Sequence, residues 1–221
     1  MPWFTKDFNQ FFKELAANNN KEWFDANRKR YEASVKDPFV AFVGAVIKEV
    51  GKQDKTIRIE PKEAIFRINR DIRFAKDKTP YKLSTSAIVS PGGRKDMTAA
   101  GIYFELGPES VNFYGGAYMP DKEQLHKIRN AIMLDHKGFR KVVDHQSFKA
   151  LFGSVEGEKN KVLPGEFKRF LAKEPLIANK QFYVKAELPA KWVADPKLLE
   201  KLMEHYSAMR PYNAWLAGAM R

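Results

Sequence analysis

The chain has 221 residues, 44% of them hydrophobic and 13% aromatic, enough to bury a core without disulfide or metal staples. It contains no cysteine, which excludes disulfides, zinc-thiolate and iron–sulfur sites and thiol catalysis. Lys and Arg number 39 against 27 Asp and Glu, leaving a net charge of +12 and a pI near 9.7, a field that attracts nucleic acid, anionic lipid or phosphorylated metabolites.

The opening Met-Pro-Trp-Phe soon turns polar at Lys6, Asp7 and Asn9, so no signal peptide is expected. No uncharged apolar run approaches the roughly 20 residues that span a bilayer. The expected setting is the cytoplasm, without a membrane. Phe4, Phe8, Phe11, Phe12 and Leu15 recur at helical spacing, with Thr5 as a candidate N-cap. Asn18-Asn19-Asn20 breaks that helix. A second begins near Lys21 and carries Trp23, Phe24, Tyr31 and Val35. Asp37-Pro38 reads as a cap followed by Pro at the first helical position, opening an apolar helix that ends near Gly51. Phe8, Phe11, Phe12, Trp23 and Trp215 are assigned to the core. Lys13, Lys21, Arg28, Lys29 and Arg30 are assigned to a solvated helix face.

Between about Lys62 and Tyr118 the apolar period becomes two. Ala64, Phe66, Ile68, Ile72 and Phe74 share one parity; Ile102, Phe104 and Leu106 repeat the pattern, as do Val111, Phe113 and Ala117. Ser90-Pro91-Gly92-Gly93 and Gly107-Pro108-Glu109-Ser110 are turn signals. Helices return after Pro120. Asp121 caps one through about Leu134, another runs from about Gly138 to Leu151, and Gly153 to Gly165 is a loop or short hairpin. Gln181 to Leu188 is a further strand, and Asp195-Pro196 opens a terminal helix to about Leu216. The expected fold is α+β, an antiparallel β-meander flanked by N-terminal and C-terminal helices, in a single domain over residues 1–221.

The segment from Lys62 to Lys82 holds seven basic residues against three acids. On an extended strand Arg67, Asn69, Asp71 and Arg73 would lie on the non-core face beside Tyr103, Glu105, Asn112, Tyr114 and Tyr118. Guanidinium forks suit phosphate or carboxylate, and tyrosines can stack a base or sugar. Gly115-Gly116 would let a ligand approach the backbone. Arg70 breaks the parity and falls on the apolar side, where it needs a partner. His126, His136, His145 and His205 show no metal-ligand spacing and are assigned to surface or packing. Asp71, Asp77 and Glu105 could hold Mg²⁺, but the neighbouring cations would compete, so no metal and no cofactor are expected.

Arg67, Arg70, Asp71, Arg73, Phe74, Asp77, Lys78 and Tyr81 fill the pattern R-x-x-R-D-x-R-F-x-x-[DN]-K-x-x-Y. With Asn19-Asn20-Lys21-Glu22-Trp23-Phe24 and Gly115-Gly116-Ala117-Tyr118, the chain resembles a mostly bacterial family known as domain of unknown function 2461. That resemblance implies membership and no activity. The expected role is a binding module for a phosphorylated small molecule, nucleotide or nucleic acid, with Arg67, Arg70, Asp71, Arg73, Lys78, Tyr81, Tyr103 and Glu105 as ligand-binding residues. The alternatives are a phosphoester-processing enzyme with Asp71 as acid/base, and a structural or interaction protein whose motif is an internal salt-bridge network.

Overall fold

The computed structural model describes residues 1–96 and 101–221. Aromatic spacing forms the first helices. Phe8, Phe11, Phe12 and Leu15 line one face of α1 (Asp7–Ala17), and all four are buried. Asn20 accepts a hydrogen bond from the Trp23 N–H at 2.9 Å and so caps α2 (Lys21–Ala26). α3 (Arg28–Tyr31) then runs through a π-helical turn, Glu32–Lys36, into α4 (Asp37–Gln53). Asp37 is therefore not the cap expected of it. Its backbone is helical (φ −68°, ψ −42°), and the wider turn before it accommodates Pro38, which has no N–H to donate. Arg30 also leaves its expected place on a solvated face. It donates to Asp7 at 2.6 Å and to Glu14 at 2.5 Å, tying α3 to α1.

The strand expected across Ala64–Phe74 does not form. Instead α5 (Pro61–Ala64) is followed by a projecting finger. Its legs are the residues flanking an isolated bridge between Asn69 and Tyr81, with Arg70 N–H to Pro80 O at 2.9 Å and Lys82 N–H to Ile68 O at 2.9 Å. Two carboxylates bend the tip. Asp71 accepts from the Arg73 N–H at 3.3 Å and Asp77 from the Thr79 N–H at 2.9 Å, the Asx-turn contacts that compete with a strand. Phe74, expected in the core, is 96% exposed at the tip.

The sheet itself is β1 (Thr85–Val89), β2 (Gly101–Leu106), β3 (Ser110–Ala117) and β4 (Phe182–Pro189), in that order and antiparallel throughout. The fold is thus α+β, with N- and C-terminal helices against the sheet. Ile102, Phe104, Leu106, Val111, Phe113 and Ala117 are buried, as the alternation requires. Between β3 and β4 lie α6 (Lys122–Leu134), α7 (His136–Val143), α8 (Gln146–Phe152) and α9 (Gly165–Phe170). The single helix expected over Gly138–Leu151 is split, because His145 takes an extended ψ of 137°.

α4 and the terminal helix α10 (Leu198–Ala219) cover the apolar face. Phe104 meets Phe39 and Phe42 edge-on at 6.0 and 5.7 Å, and Phe113 meets His205 at 5.0 Å. Among the described residues no helix is long and apolar enough to cross a membrane.

His205 is buried against Phe113 and Phe152, and its Nδ1–H donates to Lys201 O at 2.7 Å. Burial holds its pKa below the ordinary 6.5, although the carbonyl and Glu204 oppose this. The unfolded chain therefore takes up the proton first. Stability is full above about pH 6.5 and declines as pH falls towards the folded-state value, below which the loss stops growing. The urea midpoint should drop as pH falls below about 6.5, and His205→Leu should remove that part of the slope.

Candidate functional site

The face of the sheet opposite the helices is built by alternation. Tyr103 stands between Ile88 and Tyr114 across the strands; Glu105 stands between Ser86 and Asn112; Gly116 stands between Gly101 and Tyr183. The Tyr103 and Tyr114 rings meet edge-on at 5.6 Å, and Tyr118 and Tyr183 at 5.4 Å. Phe66 and Lys82, from the base of the finger, overhang this floor. The Phe66 ring lies 5.9 Å from Tyr103, and the Lys82 ammonium sits 5.6 Å above Phe66. Together they enclose a cavity of about 410 Å³, lined also by Ser86, Glu105, Tyr114, Tyr183 and the glycines 101, 115 and 116.

Its polar groups are few and specific. Tyr103 donates its hydroxyl to Glu105 at 3.0 Å. Burial pushes the Tyr103 phenol well up, against a Ser86 hydrogen bond that pulls it down, so it remains a donor at neutral pH. Burial likewise lowers the Lys82 pKa; the Glu105 carboxylate opposes this and the Arg67 guanidinium adds to it. Among the described residues Lys82 and Arg67 each lack an ion-pair partner. Two cations that repel each other beside an aromatic floor leave room for an anion. The cavity can therefore stack a flat ring, accept one anionic group and offer a carboxylate to a donor.

The expected site residues divide between three places. Tyr103 and Glu105 line the cavity. Arg67 lies beside Phe66, exposed, close enough for its charge to act on Lys82. The others belong to the finger, and Asp71 and Arg73 do not line the sheet-face cavity as expected. Arg73 pairs with Asp71 at 2.7 Å, and Arg70 with Asp77 at 2.5 Å and with Thr79. Lys78 donates to Ile72 O at 2.9 Å. Arg70 is not buried in the core: its side chain is 29% exposed and its acid partner 61%. Asp71, Asp77 and Glu105 are not gathered together, and no cluster of three potential metal-ligating His or acidic residues exists among the described residues.

Tyr81 is an anchor. Its ring stacks on Phe24 at 4.0 Å and 16°, and the Asn19 amide holds its backbone at both ends, donating to the carbonyl at 2.9 Å and accepting from the N–H at 3.1 Å. This explains the joint presence of the Asn19-to-Phe24 stretch and the finger in one chain. Phe66, Lys82, Ser86 and Tyr183 were not foreseen as a site. Phe66 carries the parity of a core residue, and Tyr183 reaches the cavity only through the pairing of β4 with β3.

A family model described as "Conserved hypothetical protein (DUF2461)" matches residues 7–215. Comparison with curated proteins finds no match.

The finger thus separates into a folding part and an exposed part. Tyr81→Ala removes a buried ring stacked on Phe24 and should cost about 3–5 kcal/mol by urea denaturation. Arg73→Ala, at a side chain 76% exposed, should leave the midpoint unchanged.

Proposed function

The chain belongs to the DUF2461 family, and from its sheet face we propose that it is a binding module for a small ligand carrying a ring and a phosphate, of the nucleotide or sugar-phosphate class. The observation that carries this is the 410 Å³ cavity in which an unpaired lysine overhangs a floor of tyrosines. Ligand sites of about 300–1,000 Å³ with aromatic walls and a few convergent polar groups are the usual dimensions of small-molecule recognition. In this reading the ring lies on Tyr103 and Tyr114. The phosphate is held by Lys82, with Arg67 at its side. Glu105 accepts from a sugar hydroxyl or a base N–H. A chain without cysteine suits the reducing cytoplasm, the setting proposed for it.

A phosphoester-processing enzyme with Asp71 as its acid/base is less well supported. Asp71 is paired with Arg73 outside the cavity, and hydrogen bonds from that side chain and its backbone hold its carboxyl below the ordinary carboxylate range. The pairing of the finger's two acids with its own arginines favours a structural role for that part of the motif.

Isothermal titration with adenosine, adenosine monophosphate and glucose 6-phosphate tests the proposal. Phosphorylated rings should bind tighter than adenosine. Lys82→Met should erase that preference, a loss of roughly ten- to a hundredfold for a hydrogen bond to a charged group. Equal affinity in wild type and variant, or no binding of any of the three, would sink it.

A further inference from the structure

Phe74 is the most exposed aromatic ring of the described chain, and its placement has a charge context. From Arg67 to Lys82 the finger carries six basic residues and two acids. Both acids are consumed inside the finger, by Arg73 and Arg70. Together with the Lys78 contact to Ile72 O, these pairs brace the tip. The finger therefore presents its aromatic ring in a held shape, which lowers the ordering cost of an encounter. The Arg73 guanidinium lies 5.9 Å from the Phe74 ring, and Lys76 and Arg67 are exposed with no ion-pair partner among the described residues. The base of the same finger supplies Phe66 and Lys82 to the cavity. Aromatic and basic groups thus stand at both ends of the finger: Phe74, Arg73 and Lys76 towards its tip, and Phe66, Arg67 and Lys82 at its root beside the tyrosine floor.

We infer that the ligand is single-stranded nucleic acid, with one nucleotide seated in the cavity and another base of the same strand, further along it, stacked on Phe74. This rests on the cavity reading above and extends it. Alternating stacking rings and unpaired cations are the means by which unpaired strands are held, because every base has a face to stack and every linkage a phosphate. A duplex hides its base faces. An anionic membrane would meet the same charge, but the tip offers it one apolar ring, and the cavity at the root of the finger would have no part in the contact.

Fluorescence anisotropy with labelled single strands of about ten nucleotides, DNA and RNA, gives the test, beside titration with adenosine monophosphate. The single strand should bind tighter than the mononucleotide. Its affinity should fall with salt at a logarithmic slope of about −2, as three contacts from Arg67, Lys76 and Lys82 would give. Phe74→Ala should weaken the single strand roughly tenfold, leave adenosine monophosphate affinity unchanged, and leave the melting temperature unchanged, since the ring is exposed. If the mononucleotide binds but the single strand gains nothing and Phe74→Ala has no effect, this inference fails and the cavity reading stands. If neither the single strand nor the mononucleotide binds, this inference fails, and the cavity reading fails with it unless glucose 6-phosphate binds. Equal binding of the duplex, or capture by vesicles of equal parts phosphatidylcholine and phosphatidylglycerol without binding of the strand, also overturns it.

Discussion

The candidate site depends on the clamp between Asn19 and Tyr81. A side-chain amide takes both backbone hydrogen bonds of one residue, as a neighbouring strand would, while the ring of that residue stacks on Phe24 in the helical layer. These contacts span 62 residues of sequence. They fix the far leg of the finger against α2, and the near leg follows through the Asn69 bridge. The Phe66 N–H then bonds Ser86 O at 3.0 Å and Ile65 bridges Ala87, so the finger's root covers the open edge of β1. At the other edge Glu156 bridges Tyr183 of β4. Both edges of the sheet are blunted, and the polar face between them becomes a walled cavity.

What was legible in the sequence follows from how local the signals are. β2 and β3 declare themselves because alternation and turn residues lie within a few positions, and Tyr103 and Glu105 take their places by parity alone. The stretch Ala64–Phe74 shows the same alternation but is bent by Asp71 and Asp77, whose carboxylates capture backbone N–H groups two residues on. Period-two patterning cannot distinguish an extended finger leg from a strand, since the difference lies in what pairs with it. Lys82 and Phe66 were beyond reach for the same reason: their positions over the floor are consequences of the distant Asn19 contact. Gly115-Gly116 was legible as a close approach but not as to what approaches. The helix α10 does so from the core side: the Asn213 side chain accepts from the Gly116 N–H at 2.9 Å and donates to Gly101 O at 3.0 Å. Gly116 also holds φ at +95°, a backbone state that favours glycine.

The charge of +12 gains meaning only once the pairs are assigned. Much of the basic character is neutralised locally, by Asp7 and Glu14 at Arg30, by Asp77 at Arg70, and by the buried Glu174 at Arg140. Near the cavity the pattern reverses. Lys185 is matched by Glu187 at 2.6 Å, but Lys82 has no ion pair among the described residues and sets the carboxylate of Glu105 against the repulsion of Arg67. A partly desolvated cation without an ion pair is unfavourable for folding alone, and an anion in the cavity would relieve it.

Extended backbone makes the last link. Successive side chains point to opposite sides, so the burial of Tyr81 among the helices turns Lys82 to the other side, over the sheet face. The same holds at the near leg, where Ile65 packs inward and Phe66 turns out above Tyr103. Anchor and site are therefore not separable features of the finger. Residues that appear structural, Tyr81 and Ile65, set the direction of the neighbours that close the cavity, and the Asp71 and Asp77 turns beyond them set how far the tip projects. A segment held mostly by braces can in this way set the shape of a cavity lined by the residues between and beside them.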